Sequence, residues 1–166
     1  RLAAACAEGH RAKRTIHGSG NTSSRAGRWV VAGLVRHQRI GAPLVIFQQY
    51  YLGCLSHASY LIGDETTGRA VVVDPQRDVS AYLADAEANG LTIELVLETH
   101  FHADFVSGHL ELAARTGAVI GFSAVARPEY EIRPLADGER ISLGEVTLEF
   151  RHTPGHTPES MCVVVW

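Results

Sequence analysis

Short apolar runs alternate with amphipathic segments of helix length, and this alternation constrains the fold more than any other feature. The run Ala70–Val73 is closed by an Asp-Pro step and is typical of a strand buried on both faces. Helical patterns are predicted over Val79–Ala88 and His109–Thr116, with the strand Leu91–Leu97 between them. Strands and helices in this order predict a layered α/β (α+β) fold with helices covering a sheet.

Further strands are predicted on both sides of this unit. They are Leu44–Tyr51, Ala58–Ile62, Val119–Ile120, a hairpin from Glu139 to His152 that turns at Gly144, and Met161–Trp166. The first two complete a β-meander with Ala70–Val73. The last is apolar and has no polar residues after it, so we expect further strands to follow in the intact protein.

Charge divides the chain near residue 44. Residues 1–44 carry eight Lys or Arg and one acid, whereas residues 45–166 carry seven basic and seventeen acidic residues. Such a break usually separates a tail from a domain. We therefore predict a basic, disordered extension over 1–44 and a folded domain over 45–166. The extension is open to three interpretations, which are a segment without a role, an organellar transit peptide, and a segment that binds nucleic acid or anionic lipid.

Composition also limits partners and compartment. The extension has a single aromatic residue, Trp29, so we expect no nucleic-acid partner, and no apolar stretch approaches the roughly 18 residues of a membrane span. Cys6, Cys54 and Cys162 are too few and too far apart for a disulfide scaffold, which favours a reducing compartment. We predict a bacterial cytoplasmic location, with the mitochondrial matrix as the alternative. Cys54 and Cys162 are expected to be core thiols.

The densest group of metal-binding side chains directly follows the predicted strand Leu91–Leu97. His100, His102 and Asp104 alternate there, and residues two apart on an extended backbone face the same way. Strand ends of this kind concentrate functional groups in α/β sheets, and imidazole with carboxylate suits zinc or non-haem iron. A His-x-His pair also occurs by chance on surfaces. His156, in a rigid Pro-Gly loop after a second strand, adds a third histidine and favours a metal site.

The two loops, Thr-His-Phe-His-Ala-Asp and Thr-Pro-Gly-His-Thr-Pro, resemble the signature loops of the metallo-β-lactamase superfamily. From residue 45 to 166 the chain most resembles persulfide dioxygenases of the bacterial type that is often fused to a rhodanese domain. The motifs are Phe47-Gln-Gln-Tyr-Tyr, Ala70-Val-Val-Val-Asp-Pro-Gln-Arg, His102-Ala-Asp-Phe-Val-Ser-Gly-His109 and His152-Thr-Pro-Gly-His-Thr-Pro-Glu-Ser160. The resemblance implies the N-terminal half of an αββα sandwich.

The resemblance also implies roles for the site residues. Persulfide dioxygenases hold one Fe(II) through the first His of the motif, a later His and an Asp, so His100 and His156 match the two His positions. His102 and Asp104 match ligands of the two-metal hydrolases, and in a one-iron site they would support ligands or hold water. The family's Asp lies beyond Trp166. We therefore expect this chain to be C-terminally incomplete and to bind iron poorly.

Phe105 departs from the two-metal hydrolases such as glyoxalase II, which carry His at this position. Phenylalanine cannot bind a metal, so the departure favours a single metal ion. The implied activity is oxidation of glutathione persulfide to sulfite and glutathione. The alternatives are a two-zinc thioester or lactone hydrolase, with Zn(II) in place of iron, and a non-catalytic fragment. A rhodanese domain or protein, and a second copy in a homodimer, remain open as partners.

Four other polar residues are interpreted as supporting or structural. Asp74 is expected to hydrogen-bond the metal loop, and Glu159 to pack in the turn or bond backbone amides. His109 is expected to support the site or face solvent, and His152 to pack or lie at the surface. The role of His57 is left open.

Overall fold

The computed structural model describes residues 2–4 and 45–166. The strands are β1 Leu2–Ala4, β2 Val45–Leu52, β3 His57–Asp64, β4 Arg69–Val73, β5 Thr92–Leu97, β6 Val119–Ser123, β7 Arg133–Leu135, β8 Arg140–Ser142, β9 Thr147–His152 and β10 Met161–Val165. The helices are α1 Ser80–Ala88 and α2 His109–Thr116. Apart from β1, the predicted basic extension lies outside the described residues, and its disorder stays a prediction.

The strands form two sheets. A six-stranded sheet runs β2-β3-β4-β5-β6-β7, and a four-stranded sheet runs β1-β10-β9-β8. In the larger sheet β2, β3 and β4 pair antiparallel, whereas β4 to β7 pair parallel. Parallel neighbours need crossover connections, and α1 and α2 supply two of them, between β4 and β5 and between β5 and β6. The predicted layered α/β fold is confirmed.

Two apolar cores hold the layers together. One lies between the sheets, where Leu148 and Phe150 of β9 are fully buried against the larger sheet. The other lies between the larger sheet and the helices, and it contains Tyr82 of α1 and Leu112 of α2. Every residue of β4 from Ala70 onward is buried, as its continuous apolar run predicts. The arrangement is a helical layer on a two-sheet sandwich.

Asp64, at the end of β3, joins the two sheets. One carboxylate oxygen accepts the backbone N–H of Thr66 and Thr67, and the other accepts the backbone N–H of Val146 at 2.8 Å. Burial opposes ionisation of this carboxyl, but the Thr66 hydroxyl and these backbone donors outweigh it and lower the pKa of Asp64 to about 2. The charged form of Asp64 therefore stabilises the fold.

Most predicted elements are confirmed within one or two residues at each end. β7 was not predicted, because three residues that include a proline show no period. The prediction of two core thiols is wrong, since Cys54 lies exposed in the β2–β3 turn and Cys162 is disulfide-bonded. Among the described residues, no helix has the length and apolar character needed to cross a bilayer.

The fold brings two loops to one edge of the sandwich. β4 and β5 are parallel neighbours, so the segments that follow them leave the sheet side by side. Asp74 follows β4 with a left-handed backbone (φ 49°), and its N–H bonds the carbonyl of Leu97 at 2.8 Å. Asp is among the few residues that tolerate this conformation. The Asp74 side chain consequently lies beside the loop that follows β5.

Candidate metal centre

Two loops carry the predicted metal-binding residues, and the structure ties them together. We call residues 98–108, between β5 and α2, the metal loop, and residues 153–160, between β9 and β10, the second loop. The N–H of Phe101 donates to Glu159 Oε1 at 2.9 Å, and the N–H of Met161 donates to the Thr99 carbonyl at 2.9 Å. The prediction that Glu159 bonds backbone amides is confirmed. These bonds hold the two loops in register.

The three predicted histidines come together where these loops meet. The ring centroid of His100 lies 4.0 Å from that of His102 and 4.9 Å from that of His156. His100 is buried, whereas His156 is exposed. The carboxylate of Asp104 lies 4.0 Å from His102 Nδ1, and its side chain is 64% exposed. All four predicted residues therefore lie in one cluster, with Asp104 at its solvent side.

A chain of hydrogen bonds fixes how His100 presents its ring. The Thr99 hydroxyl donates to Asp74 Oδ2 at 2.7 Å, because a carboxylate can only accept. That hydroxyl therefore accepts from His100 Nδ1, 2.9 Å away. The network assigns the proton to Nδ1 and leaves the Nε2 lone pair available as a metal ligand. Burial is the largest cause that lowers the pKa of His100, and electrostatic repulsion from His102 is the next. The lowered pKa keeps the imidazole in the neutral form that binds metals.

Asp74 is the main support of the metal loop. Its Oδ1 accepts the backbone N–H of Thr99 at 2.7 Å and lies 3.1 Å from His102 Nε2. The prediction that Asp74 hydrogen-bonds the metal loop is confirmed. Glu98 lies beside it, with Oε2 3.7 Å from the same His102 nitrogen. Burial, and then the charge of Asp74, raise the pKa of Glu98 well above its usual range.

Buried ring nitrogens without hydrogen-bond partners lie at and around this cluster and are compatible with a bound ion there. Among the described residues, the only buried side-chain nitrogens or oxygens with no hydrogen-bond partner are ring nitrogens of His57, His102 and His109. Such atoms are rare in folded proteins and need an explanation, for example an ion or water. Neutral imidazoles with a nearby carboxylate fit zinc or ferrous iron. His100 Nε2 and His156 are the groups that would hold one ion, and His102 Nδ1 and Asp104 are the further donors beside them.

Phe105 lies where the two-metal hydrolases have an imidazole. Its ring centroid lies 3.9 Å from that of His57 and 4.4 Å from that of His102. An aromatic hydrocarbon packed between two imidazoles offers no donor atom. His57, which the sequence left open, lies at the edge of the site, because its ring centroid is 5.9 Å from that of His102.

Of two other polar residues, His152 packs outside the site and Glu98 lies within it. His152 Nε2 lies 3.0 Å from the Leu135 carbonyl, away from the metal loop, which confirms its packing role. Glu98 was not predicted as part of the site. Its only signal in the sequence is an acid at the end of an apolar strand, directly before Thr-His. That signal does not reveal that the side chain turns inward.

Comparison with known proteins identifies the family. The family model "Metallo-beta-lactamase superfamily" matches residues 52–165. The hydroxyacylglutathione hydrolase of Rhodospirillum rubrum is 38% identical over 100 residues, which cover 59% of this chain and 39% of the relative. The mitochondrial persulfide dioxygenase ETHE1 of Bos taurus is 31% identical over 140 residues, which cover 80% of this chain and 52% of the relative.

A solved structure agrees in fold. The metallo-beta-lactamase from Staphylococcus aureus subsp. aureus COL superposes with a TM-score of 0.70 and 39% identity, covering 74% of this chain and 38% of that one. The chain thus spans about half the length of these relatives, or less. Since the family model covers most of the described domain and both metal-binding loops, this chain belongs to the metallo-β-lactamase superfamily.

Proposed function

We propose that this chain is the metal-binding part of a mononuclear, non-haem iron persulfide dioxygenase, which oxidises glutathione persulfide to sulfite and glutathione. The observation that carries the proposal is Phe105. Its ring packs against His57 and His102 at the position where a second metal would need a donor. A site with one metal suits an oxygenase that leaves positions open for dioxygen and sulfur. The identity with ETHE1 of Bos taurus supports this assignment.

The chain's own residues would prepare the site for one ion. His100 Nε2 and His156 would bind it, and the Thr99–Asp74 network would hold His100 in the tautomer that binding requires. His102 and Asp104 would support these ligands or orient water. Ferrous iron, when bound, supplies the redox chemistry by which dioxygen oxidises the outer sulfur of the persulfide.

A two-zinc thioester hydrolase is the second candidate. It is favoured by the 38% identity with the hydroxyacylglutathione hydrolase of Rhodospirillum rubrum. It is also favoured by His102 and Asp104, because His102 Nδ1 lies 4.0 Å from Asp104 Oδ1 and the two residues retain the alternating pattern of donors. In that enzyme class both residues would bind zinc directly, and the metal would activate water.

Metal content and substrate together separate the candidates. A longer version of the protein that includes the family's Asp ligand is purified without oxygen, loaded with Fe(II) or Zn(II), and assayed for metal per chain, oxygen uptake with glutathione persulfide, and hydrolysis of a glutathione thioester. We expect one iron per chain and oxygen uptake. Two zincs per chain with thioester hydrolysis would refute the proposal.

The variant Phe105→His tests the observation itself. Adding an imidazole between His57 and His102 is expected to raise the metal content of the chain from one ion towards two. Val106→His is the matched control, because that neighbouring side chain is 70% exposed and adds its imidazole to solvent. If both variants keep the wild-type stoichiometry, Phe105 does not determine the number of metals.

A further inference from the structure

We propose that Glu98 is a positioning residue that joins the start of the metal loop to its end and thereby sets the metal affinity of the site. The inference rests on the proposed metal centre, but it does not depend on which reaction the metal serves. None of the sequence motifs marks Glu98 as part of that centre. Its contacts alone give it this role.

A single buried carboxyl reaches three parts of the loop. Glu98 is 2% exposed. Its Oε1 accepts the hydroxyl of Ser107 at 2.6 Å and lies 3.6 Å from Nδ1 of His109, the first residue of α2. Its Oε2 lies 3.7 Å from Nε2 of His102 in the middle of the loop. The backbone N–H of Glu98 bonds the Gly121 carbonyl at 3.1 Å, so the carboxyl is anchored to the sheet.

Asp74 and Glu98 divide the support of the loop between them. Both Asp74 oxygens accept bonds from Thr99, which orders the segment that presents His100. Glu98 instead joins the beginning of the loop to Ser107 by a hydrogen bond, just before the loop enters α2. A loop closed at both ends loses less conformational entropy when its side chains bind an ion. Removing groups that orient metal ligands typically costs about 10–100-fold in metal affinity.

An alternative use of the same atoms is direct ligation. One donor atom each from Asp74, Glu98 and His102 lies within 4.8 Å of the others, a spacing that a metal ion could bridge. However, the Asp74 oxygens already accept from Thr99, and Glu98 Oε1 already accepts from Ser107. These bonds favour support over ligation. The number of metals bound by Glu98 variants distinguishes the two.

The test compares cobalt binding by Glu98→Leu and Glu98→Gln with the wild-type chain. Co(II) titrations give the dissociation constant, the stoichiometry and the visible spectrum. We expect Glu98→Leu to bind cobalt about 10–100-fold more weakly. Its metal-free melting temperature should stay the same or rise, because a buried carboxyl next to Asp74 is removed. Glu98→Gln keeps an acceptor for Ser107 and should recover part of the affinity. Glu94→Leu is the control, since Glu94 lies on β5 and pairs with Arg69 at the surface.

Two further measurements keep the inference falsifiable. Amide hydrogen exchange of residues 99–109 in the metal-free chain should accelerate in Glu98→Leu and stay unchanged in Glu94→Leu. Should Glu98→Leu fail to fold, Ser107→Ala removes the other end of the contact and should weaken cobalt binding several-fold.

The outcomes separate this inference from the proposed function. The positioning role is overturned if Glu98→Leu or Ser107→Ala binds cobalt as tightly as the wild type. It is also overturned if the wild type binds two metals and Glu98→Leu binds one, because Glu98 would then be a ligand. Absence of persulfide oxidation with the affinity differences intact would refute the dioxygenase proposal and leave the role of Glu98 standing.

Discussion

Removal of the Asp74 carboxylate should destabilise the fold by an amount that can be worked from its contacts. The carboxylate accepts two bonds from Thr99, each 2.7 Å long. Hydrogen bonds to charged groups contribute about 1.5–3 kcal/mol each, so Asp74→Ala forfeits about 3–6 kcal/mol. Relief of the carboxyl pair with Glu98 offsets part of this loss. The left-handed backbone (φ 49°) adds about 1 kcal/mol for alanine. The net expectation is a loss of about 3–5 kcal/mol.

Asp74→Asn separates the contacts of the side chain from the strain of the backbone. Asparagine tolerates the left-handed conformation and keeps one acceptor for the Thr99 N–H, so the expected loss is about 1–2 kcal/mol. Urea unfolding, followed by circular dichroism, measures both variants. Asp78→Ala is the control, because that exposed side chain accepts the Ser80 N–H at the surface and its loss should cost less stability than either Asp74 variant. Equal losses for Asp74→Ala and Asp74→Asn, or losses below that of the control, would refute the reasoning.

Three further predictions concern the fold that carries the site. The pKa of Asp64 is lowered to about 2. The stability that its charge supplies is therefore fully present above about pH 4, near the ordinary pKa of Asp, and is lost as the pH falls towards the pKa of the folded state. Urea unfolding between pH 5 and pH 3 should therefore show a smaller decline for Asp64→Asn than for the wild type. Gly108→Ala places a Cβ 2.3 Å from the Gln76 carbonyl and should lower the melting temperature by several degrees, unlike an alanine at Gly155, where space is open. Phe150→Ala empties the core between the sheets and should cost about 3–5 kcal/mol in urea unfolding; a loss below 1 kcal/mol would contradict the burial of this ring.

Local pattern accounts for the elements that were predicted well. α2 is predicted and observed over His109–Thr116, because its period is clear and Gly117 ends it with a left-handed φ of 76°. β4 is predicted from an unbroken apolar run. The three-residue strand β7 carries no such pattern, and only its pairing with β6 makes it a strand. Short elements are determined by their neighbours in the sheet, which the local sequence does not reveal.

The same division applies to the metal centre. The alternation of His100, His102 and Asp104 predicts a group of donors, and the rigid loop of His156 predicts a further one. Glu98 escaped prediction because an acid at the end of a strand is more often solvated than buried. Its inward orientation depends on the packing of β5 between β4 and β6 and on the position of Ser107.

The sequence by itself determined the types of donor atoms, the order of strands and helices, and the absence of a donor at Phe105. These properties depend on single residues and on the periods of near neighbours. Only the tertiary structure decided that His156 meets His100, that Thr99 and Asp74 set the tautomer of that ring, and that Glu98 joins both ends of the metal loop. These contacts join segments far apart in the chain. They exist because β5 and β9 end, and β10 begins, at one edge of the packed sheets, and no local period encodes that packing.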